Sequence, residues 1–181
     1  LVKEKNFGTR FCQSLGFIPE SILKAYADKN SFWVHAASAG ELRAAVPVIK
    51  ELKNQFPQMP VLMSVVSVNG YLMAKQLFPE ENNVIFIFPD LPFKLPSLIK
   101  KIKPQMFILV ESEMWPNFLW NASQDDIPVV LINGRISEKN WGLYRKIFSL
   151  FPHVLTAINR FCMQSAADAE RLIGLGADAS R

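Results

Sequence analysis

The sequence predicts an α/β domain built on a doubly wound parallel sheet of about six strands, and three observations carry that prediction. Short runs rich in Val, Ile and Phe recur, apolar at successive positions rather than at alternate ones. Each is followed by a longer segment whose apolar residues repeat at helical spacing, and strands hydrophobic on both faces and separated by helices form sheets covered on both sides. The polar residues of chemical interest fall just after the runs, on the edge where open α/β sheets gather ligands.

The stretch 3–28 precedes the first strand and reads as one or two helices packed outside the sheet. Residues 1–30 are thus a helical lead-in, and 31–181 the sheet domain. The first strand, FWVHA (32–36), leads into helical spacing over 41–55. VLMSVV (61–66) leads into 69–77. VIFIF (84–88) leads into 94–102 through PDLPFKLP (89–96), where dense proline predicts a rigid loop. MFILV (106–110) precedes a helix at 115–122, PVVLI (128–132) one at 140–150, and RFCMQ (160–164) one at 165–174. The strands then end at Ser38–Glu41, Ser67–Gly70, Pro89–Asp90, Glu111–Glu113, Asn133–Arg135 and Gln164–Ser165.

The bulk numbers fit. A chain of 181 residues suits one domain with a full core, and 50% hydrophobic with 20% charged residues is a folded composition. The net charge of +4 permits an anionic partner or membrane surface without demanding one, and no nucleic acid is expected. Cys12 and Cys162 match no metal or redox spacing, which predicts buried or idle thiols in a reducing compartment. No apolar run reaches the length of a membrane span, and no signal peptide is visible. The chain opens at LVKEKNFG without an initiator Met and stops at LGADASR, so both ends read as cut from a longer protein. G-x-G-x-x-G after the first strand, G-x-x-x-x-G-K-[ST], G-x-S-x-G and His–Cys clusters are all absent, which argues against a nicotinamide dehydrogenase, a P-loop enzyme and a serine hydrolase.

Four stretches carry candidate chemistry. In SAGE, Ser38 and Glu41 have capping-box spacing, with Gly40 between them. The same Glu41 stands over the expected cleft, where it can take a proton from a hydroxyl. The helix dipole keeps its pKa low unless the cleft desolvates it. His35, inside the strand, reads as a satisfied core histidine. In VESEMWPN, Glu111 and Glu113 share a face if the strand continues. Pro116 marks a helix start that makes Glu113 a first-turn acid and leaves Glu111 without such a role. No further ligand stands at a helpful spacing, so no metal is expected. In NGRIS, Asn-Gly makes a tight turn and Arg135 stands ready for a phosphate, a carboxylate, or a salt bridge to Glu111 or Glu113. In PFKLPSLIKKIKP, Leu95, Leu98, Ile99 and Ile102 form a stripe that docks on the sheet. Lys94, Lys100, Lys101 and Lys103 form either a solvated face or one that meets anionic headgroups.

WVHAASAGE (33–41), FPDLP…IKP…VESEMWPN (88–117) and INGRIS…Y (132–144) together resemble the Kdo transferases of lipopolysaccharide synthesis, which add 3-deoxy-D-manno-octulosonic acid (Kdo) to a lipid A precursor. The tail MQSAADAERLIGLGA (163–177) resembles the same family, and the likeness runs from about Phe11 to the chain end. It implies a B-type glycosyltransferase of two Rossmann-like domains, this chain being the amino-terminal acceptor domain. The membrane anchor and the domain that binds CMP-Kdo are expected outside it. The resemblance further implies an inverting, cofactor-free enzyme on the cytoplasmic face of the bacterial inner membrane. Glu41 is implied as general base and Glu111 as a support of the transition state; Ser38, Gly40, Glu113 and Arg135 are expected near the acceptor. The fragment alone is expected to be inactive. Two departures stand out: SVVSVNG, with Ser64, Ser67 and Gly70, where the family has a Thr-rich turn, and Gly134, which predicts a looser Arg135. Two other readings stay open, a B-type glycosyltransferase with another donor and a non-catalytic α/β binding module in which Glu41 is a plain cap.

Overall fold

The computed structural model describes residues 2–26, 29–79, 83–87, 90 and 95–181, with side chains from residue 8 onward. The both-face apolar runs become β1 (Phe32–His35), β2 (Val61–Val65), β3 (Val84–Phe86), β4 (Met106–Val110), β5 (Val129–Gly134) and β6 (Arg160–Met163). All pair in parallel, in the order β3-β2-β1-β4-β5-β6. The chain winds outward from β1 to β3, crosses back, and winds outward again from β4 to β6. Between β1 and β4 their connections diverge, which leaves a crevice at the carboxyl ends of these two strands.

Helices α3 (Ala39–Gln55) and α4 (Val68–Leu77) cover one face. Their core joins Leu42, Ala45, Ile49 and Ala74 to Val34, Met63 and Val110 of the sheet. The opposite face is covered by α2 (Glu20–Tyr26), α5 (Leu95–Ile102), α6 (Pro116–Gln124), α7 (Trp141–Leu150), α8 (His153–Thr156) and α9 (Ala166–Gly174). A short 3-10 turn, Glu138–Asn140, precedes α7. Under the crevice on this side lie Trp33, Phe107 and Phe118, with ring centroids 4.4 to 5.8 Å apart. Truncating a buried aromatic of this kind to Ala costs about 3–5 kcal/mol. The α5 stripe behaves as the spacing predicts: Leu95, Leu98, Ile99 and Ile102 are all buried.

Of the lead-in, α1 (Val2–Ser14) closes the sheet's β3 edge. The amide oxygen of Gln13, buried, accepts the Phe86 N–H at 2.8 Å, a donor that an edge strand otherwise leaves open. Two expectations change here. Cys12 and Cys162 are free and exposed rather than buried. The third strand is shorter than VIFIF, and most of the proline-dense stretch, with Lys94, lies outside the described residues. Among the described residues no helix is long and apolar enough to cross a membrane.

Candidate active site

The β1–α3 turn forms one wall of the crevice. Ser38 leaves the strand in extended conformation and caps α3, its Oγ accepting the Glu41 N–H at 3.3 Å. The Glu41 carboxylate turns back and accepts twice, from Ala37 N–H at 2.8 Å (Oε2) and from the Ser38 hydroxyl at 2.9 Å (Oε1). The Ser38 cap is as the spacing predicts, while Glu41 reaches back one residue further than in a standard capping box, to the N–H ahead of the cap. A carboxylate has about four acceptor positions, so this one keeps room for a ligand hydroxyl. The turn is braced from behind, because the Ala37 carbonyl accepts the N–H groups of Val66 and Ser67 at 3.0 and 2.9 Å. Gly70 in the first turn of α4 lets the two turns touch: a Cβ there would lie 3.3 Å from the Ser38 carbonyl carbon. Gly40 is exposed, and a Cβ there would meet only Ser38 Oγ, at 3.8 Å.

The β4–α6 loop forms the other wall. The strand stops at Val110, so Glu111 and Glu113 do not share a strand face. Glu111 instead adopts a left-handed backbone, φ 61°, rare for a residue that is not Gly, Asn or Asp. The loop is pinned there to β5: Glu111 N–H donates to Ile132 O at 3.0 Å, and Arg135 N–H to Glu111 O at 3.4 Å. Pro116 does open α6, but Glu113 lies ahead of the Trp115 N-cap and is no first-turn acid. That office falls to Asp90, from the loop after β3, whose carboxylate accepts Asn117 N–H and Phe118 N–H at 2.7 and 2.8 Å. Burial pushes the Asp90 pKa up more than these bonds pull it down. Glu113 faces the sheet instead, its Oε2 lying 3.3 Å from His35 Nε2.

Electrostatics single out Glu41. Burial, then the nearby charge of Glu113, raise its pKa; the Ser38 and Ala37 hydrogen bonds lower it, and Glu111 adds a smaller upward push. The net shift is upward: burial and the two acids outweigh the Ser38 and Ala37 hydrogen bonds, and the desolvation that a stronger base requires is present. A carboxylate at a crevice rim with raised basicity is suited to accept a proton from a bound hydroxyl.

Arg135 stands apart from this cluster. It is exposed, and among the described residues no ion pair joins it to Glu111 or Glu113. Its positive charge helps to hold down the Asp168 pKa. Asp168, in the first turn of α9, is hydrogen-bonded to its cap Ser165 and accepts Ile136 N–H at 2.9 Å, which ties α9 to the NGRIS segment. The left-handed residue of that segment is Asn133, φ 53°. Gly134 ends β5 and is packed rather than loose: a Cβ there would lie 2.5 Å from Met163 Sδ. The contacts of Asp90 and Asp168 escaped the sequence reading because their partners come from other segments. Only Asp168 left a local trace, its S-x-x-D cap spacing.

The family model for 3-deoxy-D-manno-octulosonic-acid transferase (kdotransferase) matches residues 9–181. The chain belongs to the Kdo transferase family. A 3-deoxy-D-manno-octulosonic acid transferase of Haemophilus influenzae is 26% identical over 97% of this chain and 40% of its own length. A bifunctional glycosyltransferase/methyltransferase of Fusobacterium nucleatum is 31% identical over 83% of the chain and 24% of its own length. The chain thus spans less than half of these relatives. Among solved structures, a UDP-N-acetylglucosamine 2-epimerase superposes with a TM-score of 0.59 at 14% identity, over 84% of this chain and 44% of that one. The enzyme from Neisseria meningitidis bound to UDP-GlcNAc gives 0.57 at 12% identity, over 82% and 44%. At these identities the likeness shows the fold alone.

Proposed function

We propose that the protein carrying this chain transfers Kdo from CMP-Kdo to a lipid A precursor, with inversion, and that this chain supplies the acceptor side. Family membership supports the reaction class. One observation carries the mechanism: the carboxylate with raised basicity, Glu41, stands at the switch-point crevice with acceptor positions to spare. On this reading an acceptor hydroxyl enters between the β1–α3 and β4–α6 turns. Glu41 takes its proton as the oxygen bonds to the anomeric carbon of Kdo; the bond to the CMP phosphate breaks and CMP departs with that electron pair. Phosphate is a good leaving group, so the chemistry needs little acid assistance there. Glu111, held in place by its backbone bonds to β5, is read as stabilising positive charge that develops on the sugar. Ser38 orients Glu41. Arg135 is exposed and offers its guanidinium to an acceptor phosphate.

The acceptor is a lipid, and the reading extends to contact with an anionic membrane surface, here the cytoplasmic face of the inner membrane. Lys100, Lys101 and Lys103 are exposed at the end of α5. That end leads into β4 at the sheet's amino edge, where Gln105 N–H donates to Ser31 O at 2.8 Å, far from Glu41. Exposed apolar residues occur at several places, Phe11, Leu15 and Phe17 at the end of α1 among them; on α7 and beside it, Leu143 and Leu150 share one helical stripe with Lys146, followed by Phe151 and Trp120. Leucines and aromatics flanked by lysine suit the interface, so the α7 face is read as the main contact and the α5 lysines as a secondary one.

The test is product formation by the full-length protein, followed by mass spectrometry with CMP-Kdo and a lipid A precursor, beside other nucleotide sugars. Kdo-bearing lipid from CMP-Kdo alone is expected, and none from residues 1–181 by themselves. Transfer from a different nucleotide sugar would favour another B-type glycosyltransferase.

A further inference from the structure

His35 is 1% exposed, the most deeply buried titratable group of the β1 strand, and both of its ring nitrogens have partners. Trp33 Nε1–H donates to Ser64 Oγ at 2.8 Å, Ser64 Oγ lies 2.8 Å from His35 Nδ1, and His35 Nε2 lies 3.3 Å from Glu113 Oε2. The direction of the chain follows from elementary donor counting. An indole nitrogen only donates, so Ser64 accepts from Trp33 and has both a proton and a second lone pair for His35 Nδ1; the carboxylate decides, since a neutral imidazole that donates from Nε2 accepts at Nδ1. The ring proton then sits on Nε2 and points at the Glu113 carboxylate, which only accepts when ionised. Sheet register builds this: Trp33 and His35 are two apart on one face of β1, and Ser64 is the register partner of His35 on β2. Trp115 closes the ring from the cleft side, edge-on at 4.6 Å.

We propose that His35 is a positioning residue: the chain from Trp33 through Ser64 and His35 holds the Glu113 carboxylate in one place beside Glu41. The role assigned to that fixed pair rests on the reading of Glu41 as the base. A histidine that merely fills the core is satisfied by Ser64. Here the second nitrogen reaches out of the core to a partly exposed acid whose negative charge is the largest charge effect on Glu41. Among the described residues the other charge that acts on Glu41 is Glu111, from the same loop as Glu113. Arg135 acts on Asp168. With Glu113 free to swing away, Glu41 loses part of the negative field that makes it basic.

The chain has two histidines, so imidazole 15N spectra of residues 1–181 resolve the tautomer of His35 directly. The Nε2–H form is expected; an Nδ1–H form overturns the proposal. Titration of 13C-labelled glutamate carboxylates, assigned with Glu41→Gln, then reads Glu41 in His35→Leu, His35→Gln and Ser64→Ala. The expected result is a downward move of the Glu41 midpoint in His35→Leu and Ser64→Ala. His35→Gln, whose amide can still donate to Glu113, should recover most of the shift. An unchanged midpoint in the folded variants overturns it, and Ser64→Ala keeps the test open if His35→Leu does not fold. In the full-length protein, transfer by Ser64→Ala should fall about tenfold in kcat with KM little changed. If the midpoints move as expected while Glu41→Gln retains transfer, the positioning stands and the assignment of Glu41 as base fails separately.

Discussion

Ser38 and Glu41 hold each other in both directions: the Glu41 N–H donates to Ser38 Oγ at 3.3 Å, and the Ser38 hydroxyl donates to Glu41 Oε1 at 2.9 Å. The residue whose basicity is raised at the crevice is thus bonded both ways to the residue that caps α3. These bonds are compatible with a role as base because they use only part of the carboxylate's acceptor capacity.

Glu41→Gln should be no less stable than the wild type at pH 7. The Glu41 pKa is raised, so its favourable contribution is fully present below the ordinary value of 4.5 and is lost as pH rises through the folded value. At pH 7 the wild type carries a buried charge beside two acids, and glutamine removes that cost while its amide can still meet Ala37 and Ser38. Because the group is partly solvated, the gain stays within about 1 kcal/mol. Thermal melts against pH should show the gap closing in acid. A clear loss of stability in Glu41→Gln at pH 7 would mean the cap outweighs the charge.

Glu111 sits where its backbone prefers Asn or Gly. Glu111→Asn should raise stability by up to about 1 kcal/mol, and Glu111→Val should lower it by at least about 1 kcal/mol, since a β-branched residue tolerates positive φ poorly. Denaturant melts of the two variants check the order. The same substitutions should both depress transfer, the pattern of a position kept for function at a stability cost.

Asp168 should matter for the NGRIS segment and hence for Arg135. Asp168→Ala removes the acid bonded to the α9 cap, Ser165, and leaves Ile136 N–H unpaired, at a cost of about 1–2 kcal/mol. The Ser165 hydrogen bond lowers the Asp168 pKa, so the wild-type contribution is present above the ordinary value of 3.8 and is lost as pH falls through the lower folded value. Melts should therefore show a destabilised variant at pH 7 and a narrowing gap in strong acid.

Vesicle binding separates the two candidate membrane surfaces. Co-sedimentation with vesicles containing anionic lipid should weaken more for Leu143→Ser with Leu150→Ser than for Lys100→Ser, Lys101→Ser and Lys103→Ser together. The remaining binding of the leucine variant should be the more sensitive to salt, because only the charge contribution is screened.

The sheet was readable because β1 to β4 are buried on both faces: Phe32 to Ala36 and Val61 to Val65 are apolar or tightly satisfied at every position, and no amphipathic helix reads that way; the edge strand β6 is exposed or half-buried along its length. The Ser38–Glu41 cap was readable because its partners are three residues apart. What the sequence hides is either conformational or long-range. Nothing in VESEM announces that Glu111 turns left-handed, since its neighbours on β5 impose that. The link from His35 to Glu113 spans 78 residues, and that from Asp90 to Asn117 spans 27. Reading either requires knowing first which strands adjoin. The helix α8, four residues long, carries too few turns for a period to show.

The central claim is that Glu41 receives the acceptor's proton. The direct measurement is the rate of Kdo transfer from CMP-Kdo to a lipid A precursor by full-length Glu41→Gln protein, with its melting temperature taken alongside. A fall of about 100-fold or more with an undiminished melt is the predicted result. Transfer within about tenfold of wild type by a well-folded variant would contradict it and leave Glu41 as a helix cap only.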